Sequence, residues 1–183
     1  QGNENRALSP DDPTDPINAY GLSKLMAEQG IQKILPPSII IRTSWVYSTY
    51  GKNFVKTMLH LMTNRPEINV VNDQFGAPTS AGLIAAVTAA ALAKEGVPGK
   101  RLQEGLYHLA ASGTTSWFDY ACHIFARMRG NGMRLAIDQV VPVSTQEYGS
   151  PARRPLNSRL ATGKLSGAFG LTLPCWQQGV DTT

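Results

Sequence analysis

The 183 residues are 42% apolar and 16% charged, enough to bury a core and too apolar for a disordered chain. The 17 basic and 13 acidic residues leave a net charge of +4, and apart from short clusters such as Arg153-Arg154 they are scattered. That pattern favours an acidic small ligand and excludes a continuous nucleic-acid-binding stripe.

The opening QGNENRALSPDDPTD (1–15) is polar and turn-forming, and reads as a loop entered from an upstream segment. It runs into a breaker cluster of Pro10, Asp11, Asp12, Pro13, Asp15 and Pro16. A helix is predicted from about residue 17 to 35, stopped by Pro36-Pro37. SIIIRTSWVY (38–47) is a short continuous β-branched run, the pattern of a strand buried on both faces. Residues 52–64 read as a helix, INVV (68–71) as a short strand, and NDQFGAPT (72–79) as a polar loop. Residues 80–95 are alanine-rich and read as a buried helix, with Thr79 or Ser80 as its cap and Gly96 as its stop. GLYHLA (105–110) is a second core strand. A helix follows from Thr114 to Arg129 with Thr114 or Thr115 as cap, then a strand around 139–143. Short helices and loops fill the rest, the last helix starting near Pro174. Strands alternate with helices, so the class is α/β.

No apolar run reaches the ~20 residues of a membrane span, and no signal peptide opens the chain. Cys122 and Cys175 lie far apart without metal-ligand spacing, as ordinary thiols of a reducing compartment do. A cytoplasmic protein with no membrane partner is expected. His60, His108 and His123 also lack partner spacing and read as structural.

Asn18-Ala19-Tyr20-Gly21-Leu22-Ser23-Lys24 places Tyr20 and Lys24 four residues apart, on one helix face. A free phenol is too weak an acid for proton transfer at neutral pH. A neighbouring ammonium favours the phenolate. Such a pair can hand a proton to a carbonyl oxygen as hydride reaches the carbon. The spacing alone equally describes a solvated face pair. Three neighbours add weight: the breaker-rich loop before the pair, the small Ser23 before the lysine, and the buried strand ending in RTSWVY after it.

The segments DPINAYGLSKLMAE, IIIRTSWVYSTYGKNFVKTML, VVNDQFGAPTS, GLYHLAASGTTSWFDYA and PARRPLNSRL follow one another in the order and spacing of a known family. Over residues 9–180 the chain resembles the dTDP-4-dehydrorhamnose reductases, members of the extended short-chain dehydrogenases. The resemblance implies reduction of the C4 keto group of dTDP-4-dehydro-L-rhamnose to dTDP-L-rhamnose with NADPH or NADH. It implies Tyr20 as proton donor and Lys24 as its partner and ribose ligand, both beside the cofactor, with Arg42, Thr43 and Ser44 passing the nicotinamide. Trp45 would pack on the sugar. Asn53, Phe54, Asp73 and Gln74 would border the sugar nucleotide, as would the loop residues Gly76, Pro78 and Thr79. Arg153, Arg154 and Asn157 sit in a Pro-bracketed loop where an arginine fork suits a diphosphate.

The implied fold is the C-terminal part of a Rossmann-like doubly wound sheet plus a small α/β substrate-binding region. Residues 16–65 would hold the catalytic helix, core strand and following helix. Residues 66–183 would form the mixed substrate-binding region, with Rossmann elements returning at about 80–110. No Gly-x-x-Gly-x-x-Gly turn for a cofactor pyrophosphate follows a strand here, and the family's assisting Ser or Thr would lie upstream. The chain is therefore expected to be inactive alone. A non-catalytic module of the same fold, or a sister nucleotide-sugar epimerase or reductase, are the competing readings. Some members bridge a metal through glutamates; one such position aligns with Gly82, so no metal is carried over. A sheet missing strands has an exposed edge, which makes a homodimer an expectation.

Overall fold

The computed structural model describes residues 5–35, 38–95 and 103–182. Helix α1 (Ala19–Ile34) starts where Asn18, in extended backbone, turns its side chain back to accept a hydrogen bond from the Gly21 N–H. That is the N-cap geometry, which satisfies one of the first-turn donors. Helix α1 has no buried residue. It leaves Tyr20, Leu22, Met26 and Ile34 exposed, so its hold on the molecule is chiefly polar.

Strand β1 (Ile39–Thr43) lies parallel to β6 (Gly105–Leu109), with Arg42 opposite His108. The continuous strand predicted to residue 47 is broken at Trp45. This residue has φ of 51°, left-handed backbone that a bulky side chain seldom adopts. The chain resumes as β2 (Val46–Tyr47), which joins a different partner, β5 (Thr79–Ser80). Strand β1 is also half-buried rather than covered on both faces. Ile39 and Ile41 pack against one core, whereas Arg42 on the opposite face reaches Glu28 of α1.

Helix α2 (Phe54–Asn64) leads to β3 (Glu67–Val71), which is parallel to β8 (Gln139–Val143) in the register Glu67 opposite Gln139. Within the predicted polar loop 72–79, β4 (Phe75–Gly76) pairs antiparallel with β7 (Thr115–Ser116). That pairing shifts the start of the next helix, α4 (Trp117–Gly130), three residues past the predicted Thr114. Thr115 and Ser116 are spent in the strand, and Ser116 Oγ becomes the cap, accepting from the Asp119 N–H at 3.0 Å. Ser80 Oγ receives the Leu83 N–H at the start of α3 (Ala81–Glu95). The predicted Gly96 stop lies outside the described residues. Helices α5 (Thr145–Tyr148), α6 (Gly163–Phe169) and α7 (Trp176–Asp181) complete the chain.

Two apolar cores result. One gathers Met58 and Met62 of α2, Ile68 and Val70 of β3, Tyr120, Ile124 and Met128 of α4, and Trp176 of α7. The other packs Val87 and Ala91 of α3 with Tyr107 and Leu109 of β6 and Leu165 and Phe169 of α6. Leu83 touches both. Each fully buried Leu, Met or Phe here contributes roughly 1.5–3 kcal/mol of burial.

Candidate active site

Tyr20 stands on the solvent face of α1 with 72% of its surface exposed. The Lys24 Nζ lies 5.5 Å from the centre of its ring. Among the described residues no carboxylate pairs with Lys24, so its ammonium is available to a ligand. Glu28, one turn further along the same helix, is taken: its two oxygens accept from Arg42 Nη2 and Nε at 2.7 and 2.8 Å. This fork fixes the Tyr20 helix to β1, and it also occupies the Arg42 guanidinium, which the sequence placed beside a nicotinamide. Thr43 is exposed at the carboxyl end of β1. The Ser44 hydroxyl donates to the Ser158 carbonyl at 3.2 Å.

His108 is buried opposite Arg42, its Nδ1 3.0 Å from the Leu8 carbonyl. A carbonyl only accepts, so Nδ1 carries the proton, and Nε2 is a buried acceptor with no hydrogen-bond partner among the described residues. Burial pushes the imidazole pKa below its ordinary value, and the nearby Arg42 charge adds to that. At the start of the chain, the Arg6 guanidinium and the Ser9 N–H hold the Asp12 carboxyl below the usual carboxylate range.

The residues expected at the sugar nucleotide fall into three groups. Trp45 stacks on Trp117 at 3.6 Å and 14°. Phe54 joins the same aromatic pile, 4.6 Å from Trp117 and 5.0 Å from Tyr120. Gly76 lies so close beneath Trp45 that a Cβ there would meet its ring at 2.6 Å. Pro78 and Thr79 are buried nearby in sequence, and Thr79 donates to the Ala77 carbonyl.

The second group is tied to α5. Asp73 accepts from the Thr145 N–H and hydroxyl, and buried Gln74 donates to the same hydroxyl. The third is the arginine loop. Arg153 and Arg154 are exposed, and among the described residues no carboxylate pairs with either. Asn157 is buried, donating to the Arg6 carbonyl and accepting from the Arg159 N–H and Nε.

Four of the predicted sugar-nucleotide contacts, Asn53, Asp73, Gln74 and Asn157, thus make polar contacts within the chain. Asn53 caps α2 through the Lys56 N–H and donates to the Ser48 carbonyl. Asn157 pins the loop downstream of the arginines. Sequence reading missed Glu28, Trp117 and the second bond made by Asn18, whose Nδ2 donates to the Arg153 carbonyl at 3.0 Å. Only Asn18 carried a local signal, as a cap-type residue ahead of a helix. Among the described residues no group of three or more His, Cys, Asp or Glu could hold a metal ion. No described helix is long and apolar enough to cross a membrane.

The model of the RmlD substrate binding domain matches residues 1–183. The chain is 50% identical over 169 residues to the dTDP-4-dehydrorhamnose reductase of Escherichia coli K12, covering 92% of this chain and 56% of that protein. It is 44% identical over 174 residues to the corresponding Burkholderia thailandensis enzyme, with 92% and 58% covered. A crystal structure of the Bacillus anthracis reductase in complex with NADP superposes with a TM-score of 0.87 at 35% identity, over all of this chain and 60% of that one. The chain therefore spans a little over half the length of these relatives. With them it shares a mixed α/β, Rossmann-like architecture.

Proposed function

Because the chain belongs to the RmlD substrate-binding domain family, we propose that it forms the sugar-nucleotide side of a nicotinamide-dependent reductase. The reaction it serves is reduction of the C4 ketone of dTDP-4-dehydro-L-rhamnose to dTDP-L-rhamnose. The observation that carries the reading is the pairing of exposed Tyr20 with Lys24 on a helix braced to β1 by the Glu28–Arg42 fork. The names of the relatives support it at the level of substrate.

A bound nicotinamide supplies the hydride. Tyr20 gives its hydroxyl proton to the C4 oxygen of the sugar. The Lys24 ammonium stabilises the phenolate left behind and can donate to a ribose hydroxyl. Tyr20, Lys24 and Thr43 suit such a cofactor, since Thr43 ends a parallel strand at the edge where α/β sheets take nucleotides. Arg42 suits it less, because Glu28 holds its fork.

Arg153 and Arg154, which pair with no carboxylate among the described residues, suit the diphosphate. Trp45, with one face on Trp117, has its remaining edge for the sugar. Asn53, Phe54, Asp73, Gln74 and Asn157 shape the surroundings by fixing the loops on which the contacts sit. Residues 16–65 supply the proton-transfer helix, and residues 66–183 supply most of the sugar-nucleotide contacts. Two free cysteines fit a cytoplasmic setting. The apolar residues exposed on α1 make self-association part of the reading.

In a full-length reductase carrying this chain, oxidation of NADPH should depend on dTDP-4-dehydro-L-rhamnose. Tyr20→Phe should lower kcat about 10²-fold or more. A wild type without turnover would remove the proposed reaction, and an unchanged rate for the variant would remove the role of Tyr20.

A further inference from the structure

The carboxamide of Asn18 has two ends, and each does a different task. Its Oδ1 accepts from the Gly21 N–H at 2.8 Å and starts α1. Its Nδ2 donates at 3.0 Å to the carbonyl of Arg153, 135 residues away in sequence. The stretch around Arg153 is otherwise fixed downstream, where Phe75 N–H donates to the Leu156 carbonyl and Asn157 is buried. Arg153 and Arg154 thus sit on a short loop held at one end by β4 and near the other by the helix that carries Tyr20.

We infer that Asn18 is a positioning residue. It sets the Arg153–Arg154 loop against the start of α1, so that a diphosphate held by these arginines places the attached sugar in register with Tyr20 and Lys24. The inference rests on the proposed function. It adds a residue that has no need to touch the ligand and acts through the Arg153 backbone. Gly21 supports the same construction: a Cβ there would stand 3.3 Å from the Pro16 Cβ and 3.4 Å from the Asn18 Oδ1. The absent side chain leaves the cap room to keep its orientation.

The two ends can be separated chemically. In Asn18→Ser and Asn18→Asp a cap acceptor remains, since Ser and Asp both cap well, while the donor to Arg153 is lost. Titration calorimetry of a full-length reductase carrying this chain, with dTDP and with thymidine, alongside thermal unfolding, reads the difference.

The wild type should bind dTDP more tightly than thymidine. Asn18→Ser should lower the melting temperature by no more than about 6 °C and lose about 3- to 10-fold in dTDP affinity, the range of one net hydrogen bond. Its thymidine affinity should be unchanged. Asn18→Asp should lose at least as much, because its carboxylate faces a carbonyl oxygen. With Arg153 and Arg154 both changed to Ala, Asn18→Ser should cost no further dTDP affinity.

Wild-type dTDP affinity in both Asn18 variants would overturn the inference while leaving the proposed function standing. So would an undiminished effect of Asn18→Ser without the arginines. A wild type blind to dTDP would overturn the proposed function, and this inference with it.

Discussion

Replacing Gly76 with alanine sets a methyl group 2.6 Å from Trp45 Cε2, 2.9 Å from Nε1 and 3.0 Å from Cδ2. The indole has nowhere to retreat. Trp117 stacks on it at 3.6 Å, its backbone stands at a φ of 51°, and its carbonyl accepts from the Thr79 N–H at 3.1 Å. Overpacking of this kind costs about 1–3 kcal/mol. For a chain of this size each kcal/mol lowers the melting temperature by about 2–4 °C, so a fall of about 2–12 °C is expected. Gly76 is absent from the glycines with positive φ, so its backbone accepts alanine and the loss is steric. Urea unfolding followed by circular dichroism measures it, in the wild type and in a Trp45→Leu background. With the indole gone, Gly76→Ala should cost less than about 0.5 kcal/mol, the usual size of an uncoupled change. The same loss in both backgrounds would refute the steric account.

Arg42→Lys removes the two-pronged contact with Glu28, whose side chain is 12% exposed against 26% for Arg42. A lysine cannot replace the fork, so a loss of about 1–2 kcal/mol is expected. Glu28→Gln should cost a similar amount and the double variant less than the sum; strict additivity in urea unfolding would show that the two are uncoupled. His108 gives a pH dependence. Its folded pKa lies below the ordinary 6.5, so as the pH drops the unfolded chain takes up a proton first. Its contribution is then complete above about 6.5 and fades as the pH falls below that. Urea midpoints measured from about pH 7.5 down to about pH 5 should decline less in His108→Gln than in the wild type. Parallel declines would exclude His108 as the source.

What could be read in advance was local. Tyr20 and Lys24 share a face because any helix puts i and i+4 together. Strand β8 announced itself through Val140, Val141 and Val143. The cap of α4, expected at Thr114 or Thr115, is Ser116, because the pairing of Thr115 and Ser116 with Gly76 and Phe75, far upstream, delays the helix. The break at Trp45 has a similar origin. Nothing in RTSWVY demands a left-handed tryptophan; stacking on Trp117 and the missing side chain of Gly76 hold it there. The resemblance placed Asn53 and Asn157 at the ligand, and an amide in a loop can serve as a cap, a brace or a binding group. The partners they engage within the chain, Ser48 and Arg6 among them, are visible only in three dimensions.

The two longer parallel pairs, β1 with β6 and β3 with β8, are interleaved along the chain. Ile39 meets Gly105 and Glu67 meets Gln139, so each pairing closes a loop that contains a strand of the other. A growing polypeptide that has not reached Leu109 can complete neither pair, and one short of Val143 can complete only the first. Distant pairings of this kind must pay for loop closure before any packing rewards them, which slows folding. The two cores are therefore expected to form late and nearly together, with little early protection for strand edges while the chain is being made.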